Sequence, residues 1–355
     1  MAVTLTCNIS AGNPRDRSAL THGDGVWHIT PWSEDGDFNY KFHMLVEARN
    51  DGRSIETIRL AIEWDDTKYA YLRDEMYIGS GYDWTLFKGR IDGSAIHAEI
   101  GVPPGTWLIG LHPSYRQAKH AALIEHAVAA GAVHDSVGVT KLGLALDRVW
   151  FNMDSGKPLY LVIGRFHPYE TAASFCMDGI VNAIAEKSPL AADALDRFSV
   201  ALIPLCNPDG VEVGACKRVS EGGPIPDKDL NISEPTVNAL RAAVDVMRPA
   251  VVLDLHGWMH RDRDGISDYD TALIDRFDIE FNRLSLDRGP KRAWSRSSFE
   301  GKIDNPSDIR QRTAMAGAKV NILSFGWHQR SLQQMGNLGA AAFAAFGTAV
   351  AATTD

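Results

Sequence analysis

The segment Leu161-Val162-Ile163-Gly164-Arg165-Phe166-His167-Pro168-Tyr169-Glu170 sets a short apolar strand directly before potential metal ligands. A second apolar run, 251–255, leads into His256-Gly257-Trp258, and a third, 201–205, leads into Cys206-Asn207-Pro208. Short, almost wholly apolar strands are typical of a sheet that helices cover on both faces. Ligands bind at the carboxyl ends of the strands in such sheets. We therefore expect these polar residues to share one edge of a sheet.

Helical segments separate these strands, which predicts an α/β domain. Strands are expected over 158–166, 198–205, 250–255 and 320–325, and helices near 116–130, 171–186, 234–247, 271–286 and 331–346. The first hundred residues differ, because β-branched and aromatic segments alternate there with Gly, Asp and Asn clusters. Strands are expected there over 40–49, 54–64, 69–78 and 95–102. The sequence thus predicts an N-terminal antiparallel β-sandwich domain over 1–115, followed by a mixed-sheet α/β/α domain over 116–355.

Composition limits the classes of function. The chain has 355 residues, 45% of them hydrophobic and 23% charged, which is an ordinary globular balance. The net charge of −9 is not typical of a nucleic-acid-binding protein. The start has no basic or apolar leader region, and the most apolar stretch, 338–352, is too short to span a bilayer, so neither a signal peptide nor a membrane partner is expected. Four cysteines without Cys-x-x-Cys spacing favour a reduced, cytoplasmic protein.

His167 and Glu170 lie three residues apart, so an imidazole and a carboxylate can converge on one ion. His256 adds a second imidazole, and two imidazoles with one carboxylate bind Zn²⁺ with a fourth position open for water. His256 alone is more often an ordinary residue than a ligand, and an ordinary strand-end histidine is the alternative interpretation of His167. A zinc-bound histidine usually donates its second ring N–H to a carboxylate or carbonyl. Asp229 and Asp254 are candidates for that partner, although Asp254 could equally be an ordinary buried polar residue.

Four motifs in order carry a resemblance to a known family. They are Gly164-Arg165-Phe166-His167-Pro168-Tyr169-Glu170-Thr171, Asn207-Pro208-Asp209-Gly210-Val211, Lys228-Asp229-Leu230-Asn231 and Asp254-Leu255-His256-Gly257. The sequence resembles the zinc metallocarboxypeptidases, most closely the cytosolic carboxypeptidase type, which carries a β-sandwich domain before the peptidase domain. The resemblance covers about residues 116–350, and more loosely the N-terminal domain.

The resemblance implies roles for these residues. His167, Glu170 and His256 would be the zinc ligands, and Asp229 would support the first histidine. Arg218 would polarise the scissile carbonyl and stabilise the oxyanion, and Asn231 would help to hold the terminal carboxylate of the substrate. Ordinary interpretations remain open, because Arg218 could be a solvated loop cation and Asn231 a helix N-cap.

Two positions depart from the family pattern. Ile232 stands where the family has an arginine that binds the terminal carboxylate, so another cation would have to substitute or the substrate lacks that carboxylate. Ser324 stands where the family has the general-base glutamate, and losing a base costs a factor of about 10² to 10⁴ in rate. Glu300 could supply a carboxylate or be an exposed loop acid, and an easier substrate could react without a strong base. The candidate cations are Arg292, Arg296, Arg310 and Arg312.

The leading hypothesis is a carboxypeptidase-like, zinc-dependent hydrolase that acts on the amide bond of a peptide or an acyl-amino compound. The alternative is a catalytically silent pseudoenzyme that keeps zinc and binds peptides. A third hypothesis gives the N-terminal domain a role in docking a partner or forming a homo-oligomer. The histidines of that domain have no ligand spacing and are predicted to be ordinary residues; they are His22, His28, His43 and His97.

Overall fold

The computed structural model describes residues 3–14, 17–32, 41–64, 73–153, 156–217, 234–258, 263–299, 301 and 303–354. The described chain forms two compact units. The first consists of the residues up to Gln117 together with His167–Thr171 and 209–217, and the second of the remaining described residues. The domain boundary after residue 115 stays a prediction.

Ten strands of the first unit form two five-stranded sheets. They are β1 (Val3–Thr6), β2 (Leu20–Gly23), β3 (Val26–Ile29), β4 (Leu45–Asn50), β5 (Glu56–Glu63), β6 (Glu75–Ser80), β7 (Asp83–Lys88), β8 (Arg90–Asp92), β9 (Ala95–Val102) and β10 (Gly105–Gly110). One sheet has the order β1-β4-β10-β6-β7 and is antiparallel throughout. The other has the order β2-β3-β5-β9-β8 and is antiparallel except for the parallel pair β3–β5.

Alternation of buried residues explains why these segments form strands. In β9, Ile96, Ala98, Ile100 and Val102 are buried, and the residues between them are more exposed. A strand of period two with one apolar side is typical of an antiparallel sheet that packs one face against a core. The prediction of antiparallel sheets at the N-terminus followed by a mixed-sheet α/β domain is confirmed.

From Gln117 onward, the described part of the chain contains eight strands and eight helices. They are α1 (Gln117–Ala129), β11 (Val133–Val139), β12 (Ala145–Phe151), β13 (Leu159–Gly164), α2 (Thr171–Ala185), α3 (Pro189–Arg197), β14 (Ser199–Ile203), α4 (Pro208–Glu212), α5 (Glu234–Met247), β15 (Val251–Trp258), β16 (Asp264–Asp268), α6 (Thr271–Arg283), β17 (Trp294–Ser298), α7 (Ile309–Met315), β18 (Lys319–Gly326) and α8 (Leu332–Thr354). All eight strands form one mixed sheet in the order β11-β12-β14-β13-β15-β18-β16-β17. The central strands β14, β13, β15 and β18 are parallel.

Several predicted boundaries are wrong. The strand predicted over 158–166 ends at Gly164, because Arg165 takes a left-handed conformation with φ of 61°. The strand predicted over 250–255 continues to Trp258, because its ladder with β18 runs on through the polar residues. The helix predicted over 331–346 continues to Thr354, and the one over 271–286 ends at Arg283.

The helix α8 is long and apolar enough, by length and composition, to cross a membrane. However, 83% of its most apolar window is buried inside the protein. It packs closely on α2, since a Cβ atom at Gly179 would lie 1.9 Å from the carbonyl oxygen of Gly336. Tyr160 of β13 stacks on Phe343 of α8 with ring centroids 4.9 Å apart and donates its hydroxyl to the Phe343 carbonyl at 3.1 Å. These contacts are those of a core helix.

Candidate metal centre

Three buried side chains of the described residues form a group that could hold a metal ion. His167, Glu170 and His256 each offer one ligand atom, and these atoms all lie within 4.8 Å of one another. His167 Nδ1 lies 2.8 Å from Glu170 Oε1. Two imidazole nitrogens and a carboxylate oxygen are a donor set that zinc prefers. The sequence-predicted ligands are therefore brought together.

A tight turn after β13 places the first two of these residues. Arg165 turns the chain through its left-handed conformation, and its Nη1 donates to Ser174 Oγ in α2 at 2.8 Å. The Glu170 N–H then donates to the His167 carbonyl at 3.1 Å, and α2 begins at the next residue. A non-glycine residue in this region costs about 1–3 kcal/mol and persists only where its surroundings impose it. The strand end and the start of α2 thus fix the turn from both sides.

His256 is placed by the ladder between β15 and β18. Its Nε2 lies 3.0 Å from Asp254 Oδ2, where alternation along the strand predicts a partner. A neutral imidazole that donates through Nε2 keeps Nδ1 as an acceptor, and in that form Nδ1 could bind a metal. The ring of Phe166 stacks against that of His256, with centroids 6.2 Å apart. The orientation of the imidazole is therefore fixed by a hydrogen bond and by packing.

Asp254 carries negative charge into the core behind this histidine. The carboxylate is fully buried, and Oδ1 has no hydrogen-bond partner in the part of the chain that the structure describes. Arg310 Nη1 lies 3.9 Å from Oδ2, and Arg310 Nε donates to Asp308 at 2.9 Å. Burial lowers the pKa of Arg310, but Asp308 and Asp254 outweigh burial and raise the pKa above its ordinary value. The positive charge of Arg310 thus lies beside the buried Asp254 carboxylate and compensates its charge.

The second ring nitrogen of His167 meets a residue that the sequence did not indicate. Lys217 Nζ lies 3.3 Å from His167 Nε2. The predicted partner, Asp229, lies outside the described residues. If Nε2 accepts from the lysine, Nδ1 carries the proton that is shared with Glu170. A metal bound there would take the place of that proton. The only earlier signal for Lys217 is its position next to Arg218.

Ser324 lies directly beside His256. The two residues are partners in the parallel ladder of β15 and β18, so their side chains share one face of the sheet. Ser324 is 7% exposed. On its other side, a Cβ atom at Gly265 would lie 3.1 Å from the Ser324 Cβ and 2.6 Å from the ring of Trp258. Ser324 is thus at the same edge of the sheet as the candidate ligand His256, and its equivalence to the family's base position stays a prediction.

The remaining predicted site residues lie outside the described residues: Arg218, Asn231, Ile232 and Glu300. The four cations considered as substitutes for Ile232 are all hydrogen-bonded to other protein groups. Arg292 donates to the carbonyls of Gly326 and His328, Arg296 to Asp275 and Asp278, Arg310 to Asp308, and Arg312 to Asp245. These bonds hold each guanidinium in a structural contact.

Sequence comparison identifies a family in the same region. Residues 133–229 match the profile of the zinc carboxypeptidase family, Peptidase_M14. A 69-residue segment is 41% identical to cytosolic carboxypeptidase-like protein 5 of Danio rerio, and a 60-residue segment is 35% identical to cytosolic carboxypeptidase 6 of Mus musculus. These segments are 19% and 17% of this chain, and only 8% and 11% of the relatives' own lengths.

Solved structures share the fold over nearly the whole chain. A metallo-carboxypeptidase from Burkholderia cenocepacia superimposes with a TM-score of 0.81 at 17% identity, over 99% of this chain and 100% of that one. A metallo-carboxypeptidase from Pseudomonas aeruginosa, solved with (2-guanidinoethylmercapto)succinic acid, gives 0.80 at 14% identity, over 98% and 99%. The fold is therefore that of the metallocarboxypeptidases. The match over residues 133–229 and the two short segments of identity agree with this fold, so the chain is similar to the zinc carboxypeptidases in both sequence and fold.

Proposed function

We propose that this protein is a zinc-dependent hydrolase of amide bonds in peptides or acyl-amino compounds. The convergence of His167, Glu170 and His256 in a buried group carries the proposal. Such a donor set with an open fourth position is typical of hydrolytic zinc sites. The family match supports the same class of reaction.

The described residues fit a zinc ion. His167 and His256 would bind it through Nδ1 and Glu170 through its carboxylate, while Asp254 holds the His256 ring in the required tautomer. Zinc supplies Lewis acidity toward the scissile carbonyl and an acidified water. Arg218 would stabilise the negative charge that develops on the carbonyl oxygen, and Asn231 would help to bind the end of the substrate.

The proposed mechanism also needs a general base that accepts a proton from water. The Ser324 hydroxyl cannot hold a proton from water at neutral pH, and its pairing with His256 supports the proposal that the family's base would stand at this position. We propose Glu300 as the residue that accepts the proton. If no carboxylate serves, the reaction is expected to be slower by a factor of about 10² to 10⁴.

Hydrolysis of a panel of peptides and N-acyl amino acids by the zinc-loaded protein tests the proposal. Turnover should be removed by a chelator, restored by zinc and abolished in His167→Ala. Asp245→Asn is a suitable control, because it changes a carboxylate that pairs on the surface with Arg312. Stoichiometric zinc without cleavage of any compound in the panel would contradict a hydrolase.

A second candidate function is a silent, zinc-bearing pseudoenzyme that binds peptides. The pairing of Ser324 with His256 favours it, because it leaves the described part of the ligand-bearing edge without the base carboxylate. Peptide binding measured by calorimetry, with zinc bound and no product formed, would support this function. Chelator-sensitive turnover would eliminate it.

The remaining proposals concern location and assembly. The relatives' names and four buried cysteines support a cytoplasmic protein. The first unit could form a homo-oligomer, since Tyr82 and Leu86, at and beside the edge strand β7, are exposed. Sedimentation across a concentration series tests this, and a constant monomer would exclude self-association. The absence of nucleic-acid and membrane partners stays a prediction.

A further inference from the structure

A buried hydrogen-bonded chain leads from a backbone carbonyl near the N-terminus to the start of α2. His43 Nε2 lies 2.9 Å from the Ala11 carbonyl oxygen, and His43 Nδ1 lies 3.2 Å from His112 Nε2. His112 Nδ1 lies 3.1 Å from Thr171 Oγ1. The three side chains belong to residues that are between 1% and 5% exposed, and all four groups belong to the first unit.

The direction of this chain follows from its first member. The Ala11 carbonyl can only accept, so His43 Nε2 donates and, in the neutral ring, His43 Nδ1 accepts. His112 Nε2 must then donate, and His112 Nδ1 accepts from the Thr171 hydroxyl. The Pro113 carbonyl lies 3.4 Å from the same His112 nitrogen and could bond to it only if that nitrogen carried a proton. The chain of donors thus satisfies both neutral rings.

Thr171 connects this chain to the proposed metal centre. It follows Glu170 directly and is the first residue of α2, and its N–H donates to the Tyr169 carbonyl at 2.8 Å. Fixing the Thr171 side chain therefore limits the movement of the peptide that carries the Glu170 carboxylate. Residues that orient metal ligands through hydrogen bonds typically change metal affinity by about 10–100-fold when they are replaced.

We propose that His43, His112 and Thr171 are positioning residues that hold Glu170 in its metal-binding orientation. This inference rests on the proposed function, because it needs zinc to bind at the candidate centre. It gives His43 a role beyond the ordinary one predicted from its spacing. The hydrogen bonds of these three residues of the first unit would then increase the affinity of the centre for zinc.

Other contacts also hold the turn that contains His167 and Glu170. The experiment must therefore distinguish the effect of this packing from the effect of the hydrogen-bonded chain. The ring of Tyr169 lies 5.6 Å from that of Phe42, and the Tyr169 N–H donates to the Cys216 carbonyl at 3.2 Å. If packing alone held the turn, losing the Thr171 hydroxyl would lower stability without changing zinc affinity. Positioning predicts a change in zinc affinity that a hydroxyl at residue 171 restores.

The experiment measures the zinc dissociation constant of the full-length chain by competition with a chromophoric chelator, together with the urea unfolding of the metal-free forms. Thr171→Val removes the donor and keeps the branched shape, whereas Thr171→Ser keeps the donor. His112→Asn keeps an acceptor near the position of Nδ1, and His112→Phe removes both ring nitrogens. Thr348→Val is the matched control, because it deletes a helical threonine hydroxyl whose partners, the Ala344 carbonyl and the exposed Asp193 carboxylate, are not part of this hydrogen-bonded chain.

We expect Thr171→Val and His112→Phe to weaken zinc binding by about tenfold or more, with Thr171→Ser, His112→Asn and the control closer to the wild type. Absorption spectra of the cobalt-substituted forms should change in the same two variants. Unchanged zinc affinity in Thr171→Val and His112→Phe, with zinc bound to the wild type, would overturn this inference and leave the proposed function standing. A wild type that binds no zinc would overturn both.

Discussion

Replacing Ser324 with glutamate should increase the activity of this protein. Ser324 is paired with His256 across two parallel strands, and neighbouring strands lie about 4.8 Å apart. A glutamate at this position would therefore carry its carboxylate on the same face and at the same edge as the three proposed ligands. The resemblance drawn from the sequence predicts that this position corresponds to the family's glutamate base.

The expected gain in kcat/KM follows from the rate enhancement that a positioned general base usually provides. General bases contribute a factor of about 10² to 10⁴, and we expect the lower end, about 10² in kcat/KM, because the surroundings of residue 324 are shaped for a serine. This corresponds to about 2.7 kcal/mol of barrier. The site is nearly buried, so the metal-free variant should also lose about 1–3 kcal/mol of stability.

The assay is steady-state hydrolysis of the best substrate of the wild type, with zinc content measured on the same samples. Ser324→Gln is the matched control, since it introduces the same bulk without a base and should give no gain. If zinc is bound in full and Ser324→Glu is no faster than Ser324→Gln, Ser324 does not occupy the base position. Loss of activity in Glu300→Gln alone would then identify that residue as the base.

Other variants test the groups that surround the proposed centre. Asp254→Asn keeps the shape of the residue that accepts a hydrogen bond from His256 and removes its charge. Zinc affinity measured by chelator competition should therefore fall by about 10–100-fold. An unchanged affinity would argue against a role of Asp254 in orienting His256. Burial raises the pKa of Asp308, but the hydrogen bonds and charge of Arg310 outweigh burial and lower the pKa below its ordinary value. Asp308 therefore stabilises the folded protein above its unfolded pKa of about 3.9, and this stabilisation is lost as the pH falls through the lower folded pKa. The difference in unfolding free energy between the wild type and Asp308→Asn should accordingly become smaller at acid pH. A difference that grows would refute the lowered pKa of Asp308. Burial, followed by the charge of Asp254, raises the pKa of Cys206, so iodoacetamide should label this thiol only after unfolding; rapid labelling of the native protein, read by mass spectrometry, would contradict its burial.

The parts of the fold that the sequence revealed are those with a strong local signal. β13 and β14 are buried along their whole length, and such apolar runs between helices predict a sheet covered on both faces. β11 was not predicted, because it is a mostly exposed edge strand without an apolar run. Its pairing with β12 depends on tertiary context, which a local pattern does not contain.

The candidate ligands could be predicted because they follow strand ends and match motifs of a known family. Asp254 could be predicted as the support of His256, but the other supports could not. Lys217 contacts His167, and Arg310 lies near Asp254, from distant parts of the chain. His43 and His112 contact each other although they are 69 positions apart in the sequence. Contacts of this kind arise from packing between elements and leave no periodic signal in the sequence.

X-ray absorption at the zinc edge of the loaded protein measures the proposed centre most directly. We expect one zinc per chain, with only nitrogen and oxygen neighbours at about 2.0–2.2 Å, including two imidazoles. One imidazole contribution should disappear in His256→Ala. A chain that takes up no zinc, or a sulfur shell at about 2.3 Å, would contradict a centre built from His167, Glu170 and His256.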